Sequence, residues 1–356
     1  MFHLSQKNEY LGKNLETEHE MVYSPQRMHR VFSPFSIAHQ VGCWINNFLY
    51  DLRLRKSYKA PLPVISVGNI AFGGSEKTPL VMNLLSFCLK NGIRPALVTR
   101  GYKGKWEKTG GTLSDGRQIW ASWKEAGDEP FMVCQRFPHV GIYVGRNRIV
   151  SCEKASRERF DVAILDDGFQ HRRLQRDLNI VLCTPGKKTA LREFFSSLKR
   201  ADIILVKQNG DGPTKRKIKG NFSLAKVFTY TVKNQGFYSS KDKGPHPVEL
   251  LEQKRLLVLS GIARPKRFLS LLEKEGLVPA SVLQFPDHHS YPPSSIKKIS
   301  REIQKIAADA VLTTEKDYFK LKKLQKEQNI PVFYNRIELE IEKEFYLEIL
   351  LSLKSN

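Results

Sequence analysis

Residues 63–80 read PVISVGNIAFGGSEKTPL. The apolar run at the start predicts a buried strand, a glycine-rich turn follows, and an apolar-periodic helix begins at Lys77 and Thr78. This order is that of a P-loop, in which backbone N–H groups and a helix N-terminus face a phosphate chain. In such a loop Lys77 reaches the β- and γ-phosphates and Thr78 holds Mg²⁺. The stretch predicts a protein that spends or transfers a nucleotide phosphate.

The match to the strict pattern G-x-x-x-x-G-K-[ST] is incomplete, because Ala71 and Glu76 stand where the pattern has glycine. Glu76 matters more, since a carboxylate beside a phosphate cradle adds repulsion and a Cβ where the backbone should be bare. The alternative interpretation is an ordinary strand–turn–helix connection that happens to contain glycines and a lysine.

The composition is that of a folded protein with an anionic partner. The 356 residues suffice for two domains with a sizeable core, and 41% of them are hydrophobic. The formal net charge of +22 indicates nucleic acid, an acidic membrane surface or a phosphorylated substrate. The cations are spread along the whole chain, with no aromatic RNA-binding signature or zinc-finger spacing, so we do not expect nucleic-acid binding as the function.

The five cysteines indicate a reducing compartment. Their number is odd and no two form C-x-x-C, which argues against a disulfide framework or a zinc site. Residues 1–30 contain no apolar segment typical of a secretory signal, and no run of 18 apolar residues predicts a spanning helix.

Residues 33–57 predict an amphipathic helix, preceded by an extension over residues 1–32. Polar residues lie off its apolar face, and a basic segment follows it. This pattern suits a helix lying in a membrane interface, and equally a helix packed on its own domain. The apolar face is formed by Ile37, Val41, Trp44, Ile45, Phe48, Leu49 and Leu52.

Strand-like and helical segments alternate after residue 58, which predicts an α/β fold: a P-loop-type, mostly parallel sheet flanked by helices. Ligands of such sheets bind at the carboxyl ends of the strands. The patterns delimit a P-loop domain (58–220), a linker with a strand or two (221–254) and a second, smaller α/β domain (255–356) that ends in a helix over about Glu338–Leu353. The predicted strands are Val64–Val67, Ala96–Thr99, Val140–Val144, Val162–Leu165, Ile180–Cys183, Ile203–Val206, Leu256–Leu259, Ser281–Phe285, Ala310–Leu312 and Val332–Phe333.

Two carboxylates, Asp166 and Asp167, end the predicted strand at 162–165. Hard oxygen ligands at a strand end suit Mg²⁺, and a P-loop enzyme needs such a residue. Gln170 and His171 follow, and we expect their amide and imidazole to lie beside the metal. The alternative is a turn in which one aspartate caps backbone N–H groups.

Two further segments combine acids and histidines. Asp128 and Glu129 stand at a predicted helix start, where an acid usually caps the helix, although a phosphotransferase also needs a carboxylate near the acceptor hydroxyl. His288 and His289 follow a predicted strand of the second domain. They are either a structural pair or include an imidazole that orients a catalytic carboxylate.

Several segments together resemble the tetraacyldisaccharide 4'-kinases, the lipid A 4'-kinases of Gram-negative bacteria. They run in family order over about residues 33–335, and LDDGFQHRRL and FPDHH are much more specific than a P-loop. The segments are 63–79 (PVISVGNIAFGGSEKTP), 98–103 (VTRGYK), 127–130 (GDEP), 144–148 (VGRNR), 165–174 (LDDGFQHRRL), 260–268 (SGIARPKRF), 285–291 (FPDHHSY) and 312–317 (LTTEKD).

The resemblance implies a kinase that uses ATP and Mg²⁺, with 58–220 as its P-loop kinase domain. It places Mg²⁺ at Thr78, Asp166 and Asp167, with Gln170 and His171 on the γ-phosphate side. Glu76 departs from the glycine that the family usually shows. The residues that would hold the ATP phosphates are Gly73, Gly74, Ser75, Glu76, Lys77 and Thr78.

The resemblance also implies an acceptor and a location. Asp128 and His288 form the dyad that deprotonates the 4'-hydroxyl of a tetraacylated glucosamine disaccharide 1-phosphate, with Glu129 nearby and His289 as the alternative histidine. The helix over 33–57 corresponds to a membrane-associated helix, which places the enzyme at the cytoplasmic face of the bacterial inner membrane with an anionic glycolipid substrate. The competing hypothesis is a P-loop ATPase or GTPase that serves as an assembly or metal-insertion factor.

Overall fold

The computed structural model describes residues 34–71, 76–183, 191–208, 213, 215–239 and 244–354. The predicted extension over 1–32 lies outside these ranges, as do Gly73, Gly74 and Ser75 of the phosphate-binding turn. Within them, no helix is both long enough and apolar enough to cross a membrane.

The described strands form one twelve-stranded sheet with the order β10-β9-β11-β12-β8-β7-β6-β1-β5-β2-β4-β3. The predicted alternation is confirmed, and β3 is a strand that the sequence pattern did not predict. The strands are β1 Val64–Asn69, β2 Pro95–Thr99, β3 Gly111–Asp115, β4 Gly141–Val144, β5 Val162–Asp166, β6 Leu178–Cys183, β7 Ile203–Lys207, β8 Lys226–Tyr238, β9 Leu256–Ser260, β10 Ser281–Gln284, β11 Ala310–Thr314 and β12 Val332–Ile341.

The sheet has two parallel halves that run in opposite directions. Antiparallel pairing of β8 with β12 joins them, and β3 adds an antiparallel edge beside β4. The β8–β12 register shifts between Asn335 and Ile337, and such an irregularity bends and twists a strand pair. The halves are thus joined at a curved seam, and β8 lies inside the segment predicted as a linker.

Helices flank the sheet, as the sequence predicts. They are α1 Pro34–Asp51, α2 Lys77–Lys90, α3 Trp106–Thr109, α4 Trp123–Ala126, α5 Asp128–Arg136, α6 Arg148–Arg157, α7 Lys215–Asn221, α8 Glu249–Glu252, α9 Pro265–Lys274, α10 Pro293–Lys305, α11 Glu315–Tyr318, α12 Lys322–Gln328 and α13 Lys343–Lys354, with a 3-10 helix over Phe195–Arg200.

The helix after the phosphate-binding turn, α2, is packed between the two halves. Its residues Leu80, Leu84 and Leu85 are fully buried in the largest apolar cluster, together with Phe345 of α13. Asn83 Nδ2 also donates a hydrogen bond to a main-chain carbonyl of β12 at 2.9 Å. Apolar burial of this kind is the main stabilising contribution in a fold, so the position of α2 is fixed by both halves.

The last helix begins at Lys343 and not near Glu338 as predicted. Residues 338–341 end β12 instead, and Leu339 and Ile341 are buried while Glu340 is exposed. An alternation of apolar and charged residues is the period of a strand, and the helical interpretation overlooked it.

The N-terminal helix α1 ends at Asp51, six residues before the end predicted for it. Arg53 has φ 59°, a left-handed conformation that a non-glycine residue rarely adopts and that does not continue a helix. The basic segment after α1 is therefore a non-helical connection to β1, made of turns, bends and an isolated bridge at Tyr58.

Candidate active site

The carboxyl ends of three neighbouring parallel strands carry polar residues that face one another. Asn69 ends β1, Thr99 ends β2 and Asp166 ends β5. The strands pair in parallel in the order β1-β5-β2, which brings their ends to one edge of the sheet. Thr99 Oγ1 donates a hydrogen bond to Asp166 Oδ2 at 3.1 Å. This edge is where an open α/β sheet binds its ligands.

Lys77 extends from the start of α2 to this edge. Its Nζ lies 3.3 Å from Asn69 Oδ1 and 3.1 Å from Asp167 Oδ1. Arg192 Nη1 contacts both oxygens of Asp167 at 2.8 Å. Burial would raise the pKa of Asp167, but the two cations outweigh it and hold the value at about 2. Asp167 is therefore an ionised group that positions Lys77.

Asp166 is in a different environment. Within the described part of the chain, its buried Oδ1 atom has no hydrogen-bond partner. Burial, followed by the charges of Glu129 and Asp167, raises its pKa to about 6. A carboxylate oxygen in this state gains most from a nearby cation.

The residues at this edge fit Mg²⁺ shared with a nucleotide. Mg²⁺ is usually held by one or two carboxylates together with phosphates and waters. The described residues include no group of three or more His, Cys, Asp or Glu arranged to hold a metal ion by themselves. The unpartnered Oδ1 atom of Asp166 is the better ligand, because Asp167 is already engaged by Lys77 and Arg192.

Glu76, at the position where the P-loop pattern has glycine, has its carboxylate held by residues from three other elements. It adopts a left-handed conformation with φ 62° and ψ 21°, which is the conformation that glycine favours. Its carboxylate is bonded to Lys207 Nζ at 2.6 Å and to the Tyr230 hydroxyl at 2.7 Å, and Arg267 Nη1 lies 3.4 Å away. These three donors from β7, β8 and α9 bind the carboxylate, and the two cations among them reduce the repulsion expected from the sequence.

Gln170 and His171 lie in the turn after β5. Gln170 Nε2 donates a hydrogen bond to the carbonyl of Asn69 at 2.9 Å. Burial, reinforced by nearby arginines, lowers the pKa of His171 to about 4. His171 is thus a neutral imidazole at physiological pH, beside Asp166 and Asp167 in sequence.

Asp128 and His288 are in contact although they come from the two different halves of the sheet. Asp128 begins α5, and His288 lies in the turn after β10. The Nδ1 atom of His288 lies 3.2 Å from Asp128 Oδ2, and the ring of Tyr102 packs edge-on against the imidazole with centroids 5.3 Å apart. Both partners are nearly buried, with 6% and 11% of their side chains exposed.

The neighbour of Asp128 connects this pair to the P-loop helix. Thr78 Oγ1 donates a hydrogen bond to Glu129 Oε2 at 2.7 Å. Asp128 and Glu129, the first two residues of α5, therefore have different partners. Glu129 contacts the phosphate-binding helix α2, and Asp128 contacts His288. These two contacts place the nucleotide-side residues next to the acid–histidine pair.

His289 faces away from Asp128. Its Nε2 atom lies 2.7 Å from Ser295 Oγ, and its ring stacks on Phe285. The geometry therefore supports His288 over His289 as the partner of Asp128.

Four residues of the site were not found from the sequence: Arg192, Lys207, Tyr230 and Lys320. Their contacts join segments distant in the chain, and no local motif marks the first three. Lys320 carries one signal, since it lies three residues after Asp317, on the same side of a helical turn.

The chain is similar to known proteins over most of its length. Residues 28–354 match the family described as Tetraacyldisaccharide-1-P 4'-kinase. This chain is 34% identical to the Tetraacyldisaccharide 4'-kinase of Syntrophus aciditrophicus, over 89% of this chain and 90% of that protein. The enzyme of that name from Aquifex aeolicus is also 34% identical, over 87% of this chain and 94% of that protein. The solved structure of Aquifex aeolicus LpxK in complex with ATP superposes with a TM-score of 0.69 at 30% identity, covering 89% of this chain and 96% of that one.

Proposed function

This chain belongs to the Tetraacyldisaccharide-1-P 4'-kinase family, and we propose that the cleft between Lys77 and His288 is its active site. The protein is an ATP-dependent kinase that transfers the γ-phosphate to the 4'-hydroxyl of a tetraacyldisaccharide 1-phosphate in lipid A synthesis. The observation that carries the proposed site is the pair of contacts from adjacent residues, Glu129 to Thr78 and Asp128 to His288.

On the nucleotide side, Lys77 supplies the positive charge for the β- and γ-phosphates, and Asp167 with Arg192 fixes its position. Phosphoryl transfer depends mainly on positioning and on neutralising charge. Asp166 and Thr78 would hold Mg²⁺, which neutralises phosphate charge when bound. Gln170, tied to the end of β1, and neutral His171 border the γ-phosphate without adding charge.

On the acceptor side, the Asp128–His288 dyad takes the proton of the attacking hydroxyl. His288 Nδ1 faces the carboxylate, so a proton gained by the dyad gives an imidazolium paired with an ionised aspartate. Burial acts to raise the pKa of Asp128, but bonds to His288 and Lys320 lower it below its usual value, and the aspartate remains ionised at neutral pH. General acid–base catalysis of this kind contributes ~10²–10⁴ to a rate.

The N-terminal helix supports peripheral binding to the inner membrane from its cytoplasmic face. The polar side of α1 contacts the body of the protein: Asn47 Nδ2 donates to Glu193 at 2.8 Å, and Asp51 pairs with Arg172 at 2.7 Å. Its apolar side is left uncovered, with Trp44 54% and Phe48 47% exposed. An apolar helix face followed by basic residues is the composition of an interfacial helix, and an acylated acceptor resides in the bilayer.

The Asp128–His288 contact favours transfer to an alcohol over the competing hypothesis of a nucleotide-hydrolysing assembly factor. The experiment incubates the protein with γ-labelled ATP, Mg²⁺ and the tetraacyldisaccharide 1-phosphate in detergent, and separates lipid from free phosphate. We expect the label in the lipid, and its rate of appearance there to fall ~10²–10⁴-fold with Asp128→Asn. Label found only as free phosphate would refute the proposed function.

A further inference from the structure

Lys320 is a buried lysine whose ammonium group lies against the dyad. Its side chain is 1% exposed. Nζ lies 2.8 Å from Asp128 Oδ2, 2.8 Å from the His289 carbonyl oxygen and 3.3 Å from Asp317 Oδ1. A buried ammonium is retained only where acceptors compensate its lost hydration, and here three oxygens do so.

We propose that Lys320 is a positioning residue of the phosphoryl transfer, which acts through Asp128 by orienting its carboxylate towards His288. The inference rests on the proposed function, because it gives the dyad its third member. Lys320 and His288 contact the same oxygen, Oδ2 of Asp128, so the lysine constrains which oxygen the imidazole meets.

Lys320 also links the two halves of the sheet. Asp317, its second acidic partner, accepts hydrogen bonds from the Gly261 main-chain N–H and the Thr314 hydroxyl, both at 2.8 Å. Gly261 directly follows β9 and Thr314 ends β11, so these bonds make Asp317 a fixed anchor. Lys320 therefore spans from a rigid point of the second half to the first residue of α5, and the spacing between Asp128 and the His288 turn depends on it.

The formal charges beside His288 do not balance. Asp128 and Asp317 contribute two negative charges and Lys320 contributes one positive charge. With a neutral His288 the cluster carries a net charge of about −1, and with a protonated His288 its net charge is about zero. Lys320 is therefore the charge that offsets one of the two carboxylates.

Other ionisable groups face the dyad from neighbouring elements. Asp287 Oδ2 lies 3.8 Å from His288 Nε2, but Lys316 pairs with the same carboxylate at 2.7 Å. Glu129 is turned to Thr78, and the phenol of Tyr291 lies beside Asp317 with a pKa raised by burial and by that carboxylate. Lys320 is thus the one cation in direct contact with Asp128 among the described residues.

The test compares Lys320→Met with Arg136→Met in the full-length protein. Arg136 ends the helix that Asp128 begins, is also buried, with 8% of its side chain exposed, and pairs with Glu315 and Glu338. It controls for the general loss of a buried cation. The readouts are the pH profile of kcat/KM and the pH midpoint of the His288 ring signals in NMR spectra, assigned by comparison with His288→Gln.

We expect Lys320→Met to move the acid limb of the profile and the ring-signal midpoint upward by about one pH unit, because a nearby positive charge is removed. Arg136→Met should move neither, and Lys320→Arg should retain the wild-type limb. The proposal would be overturned if folded Lys320→Met left both the acid limb of the pH profile and the NMR midpoint unchanged. Equal shifts in Lys320→Met and Arg136→Met would overturn it as well.

A second variant and a readout that needs no turnover complete the test. If Lys320→Met does not fold, Lys320→Gln removes the charge while retaining a hydrogen-bond donor, with the same expectation. If the wild-type protein transferred no phosphate to lipid, the proposed function would fail, but the NMR midpoint would still decide whether Lys320 acts on the dyad, because that readout needs no turnover.

Discussion

The Tyr230 hydroxyl donates a hydrogen bond to Glu76 Oε2 at 2.7 Å, which ties the unusual residue of the P-loop to the middle of the sheet. Lys207 neutralises the same carboxylate from the next strand. A glutamate is therefore tolerated beside the phosphate site because its charge is bound elsewhere.

This arrangement predicts an ATP-affinity defect in Tyr230→Phe. Loss of one of its three donors leaves the carboxylate less firmly held and its charge closer to the phosphates on average, and we expect the KM for ATP to rise about 3- to 10-fold. Steady-state kinetics at saturating lipid measure this. Tyr346→Phe is the control, since that hydroxyl bonds to Asn83 on the same helix but away from the turn. The defect should disappear in Glu76→Gly, and a defect that persists without the glutamate would refute the explanation.

Removal of either Asp128 or His288 should greatly reduce the rate of phosphoryl transfer and leave nucleotide binding intact. We expect Asp128→Ala and His288→Ala each to lower kcat by ~10²–10⁴, while ATP binding measured by calorimetry is unchanged. His289→Gln should retain activity, because that ring contacts Ser295 and not Asp128. Wild-type turnover in both alanine variants would rule the dyad out.

Lys77→Ala should remove phosphoryl transfer altogether. The ammonium group lies between Asn69 and Asp167 at the carboxyl edge of the sheet, and nothing else at the start of α2 can replace its charge. The measurement is labelled-phosphate transfer to the lipid at millimolar ATP. Activity equal to that of the wild type would mean that this segment is not a P-loop.

The uncovered face of α1 should control membrane binding. The double variant Trp44→Ser with Phe48→Ser removes two exposed aromatic rings that stack on each other, and we expect partition into anionic vesicles to fall ~10- to 100-fold. Trp120→Ser, at a tryptophan that is 58% exposed elsewhere, should not change it. Equal binding by the double variant would show that the helix face has another role.

The protein should lose stability as the pH falls from about 6.5 towards 4. Burial and nearby guanidinium groups, Arg148 foremost, lower the pKa of His171 to about 4 in the folded state, whereas an unfolded histidine titrates near 6.5. The unfolded chain then binds more protons, so the contribution is complete above pH ~6.5 and is lost across this window, by at most about 3 kcal/mol. Urea unfolding at several pH values should show a shallower pH dependence in His171→Gln than in exposed His139→Gln, and equal slopes would contradict this origin.

Much of the first half of the sheet could be predicted because its signals are local. The apolar run of β1, the helical spacing of Leu80 and Leu84, and the carboxylates that end β5 are each read from a few consecutive residues. The pairing of Asp128 with a histidine was accessible through family resemblance and not through spacing.

The remaining features depend on contacts between distant segments. Arg192 reaches Asp167 and Lys320 reaches Asp128 only after the sheet has formed and curved. The pairing of β8 with β12, which joins the two halves, could not be predicted from the sequence either. Which residues of a long strand are buried depends on the strand beside it, and the local sequence does not show that neighbour.

In the proposed active site, the nucleotide-bound metal and the Asp128–His288 dyad lie in one cleft. The most direct test is paramagnetic relaxation by Mn²⁺, bound with a non-hydrolysable ATP analogue and the lipid acceptor, measured on the histidine ring signals. We predict strong broadening of the His288 signals and weaker broadening for His139, which precedes β4 at the opposite edge of the sheet. His288 signals that stay sharp while Mn²⁺ and nucleotide are bound would contradict the account.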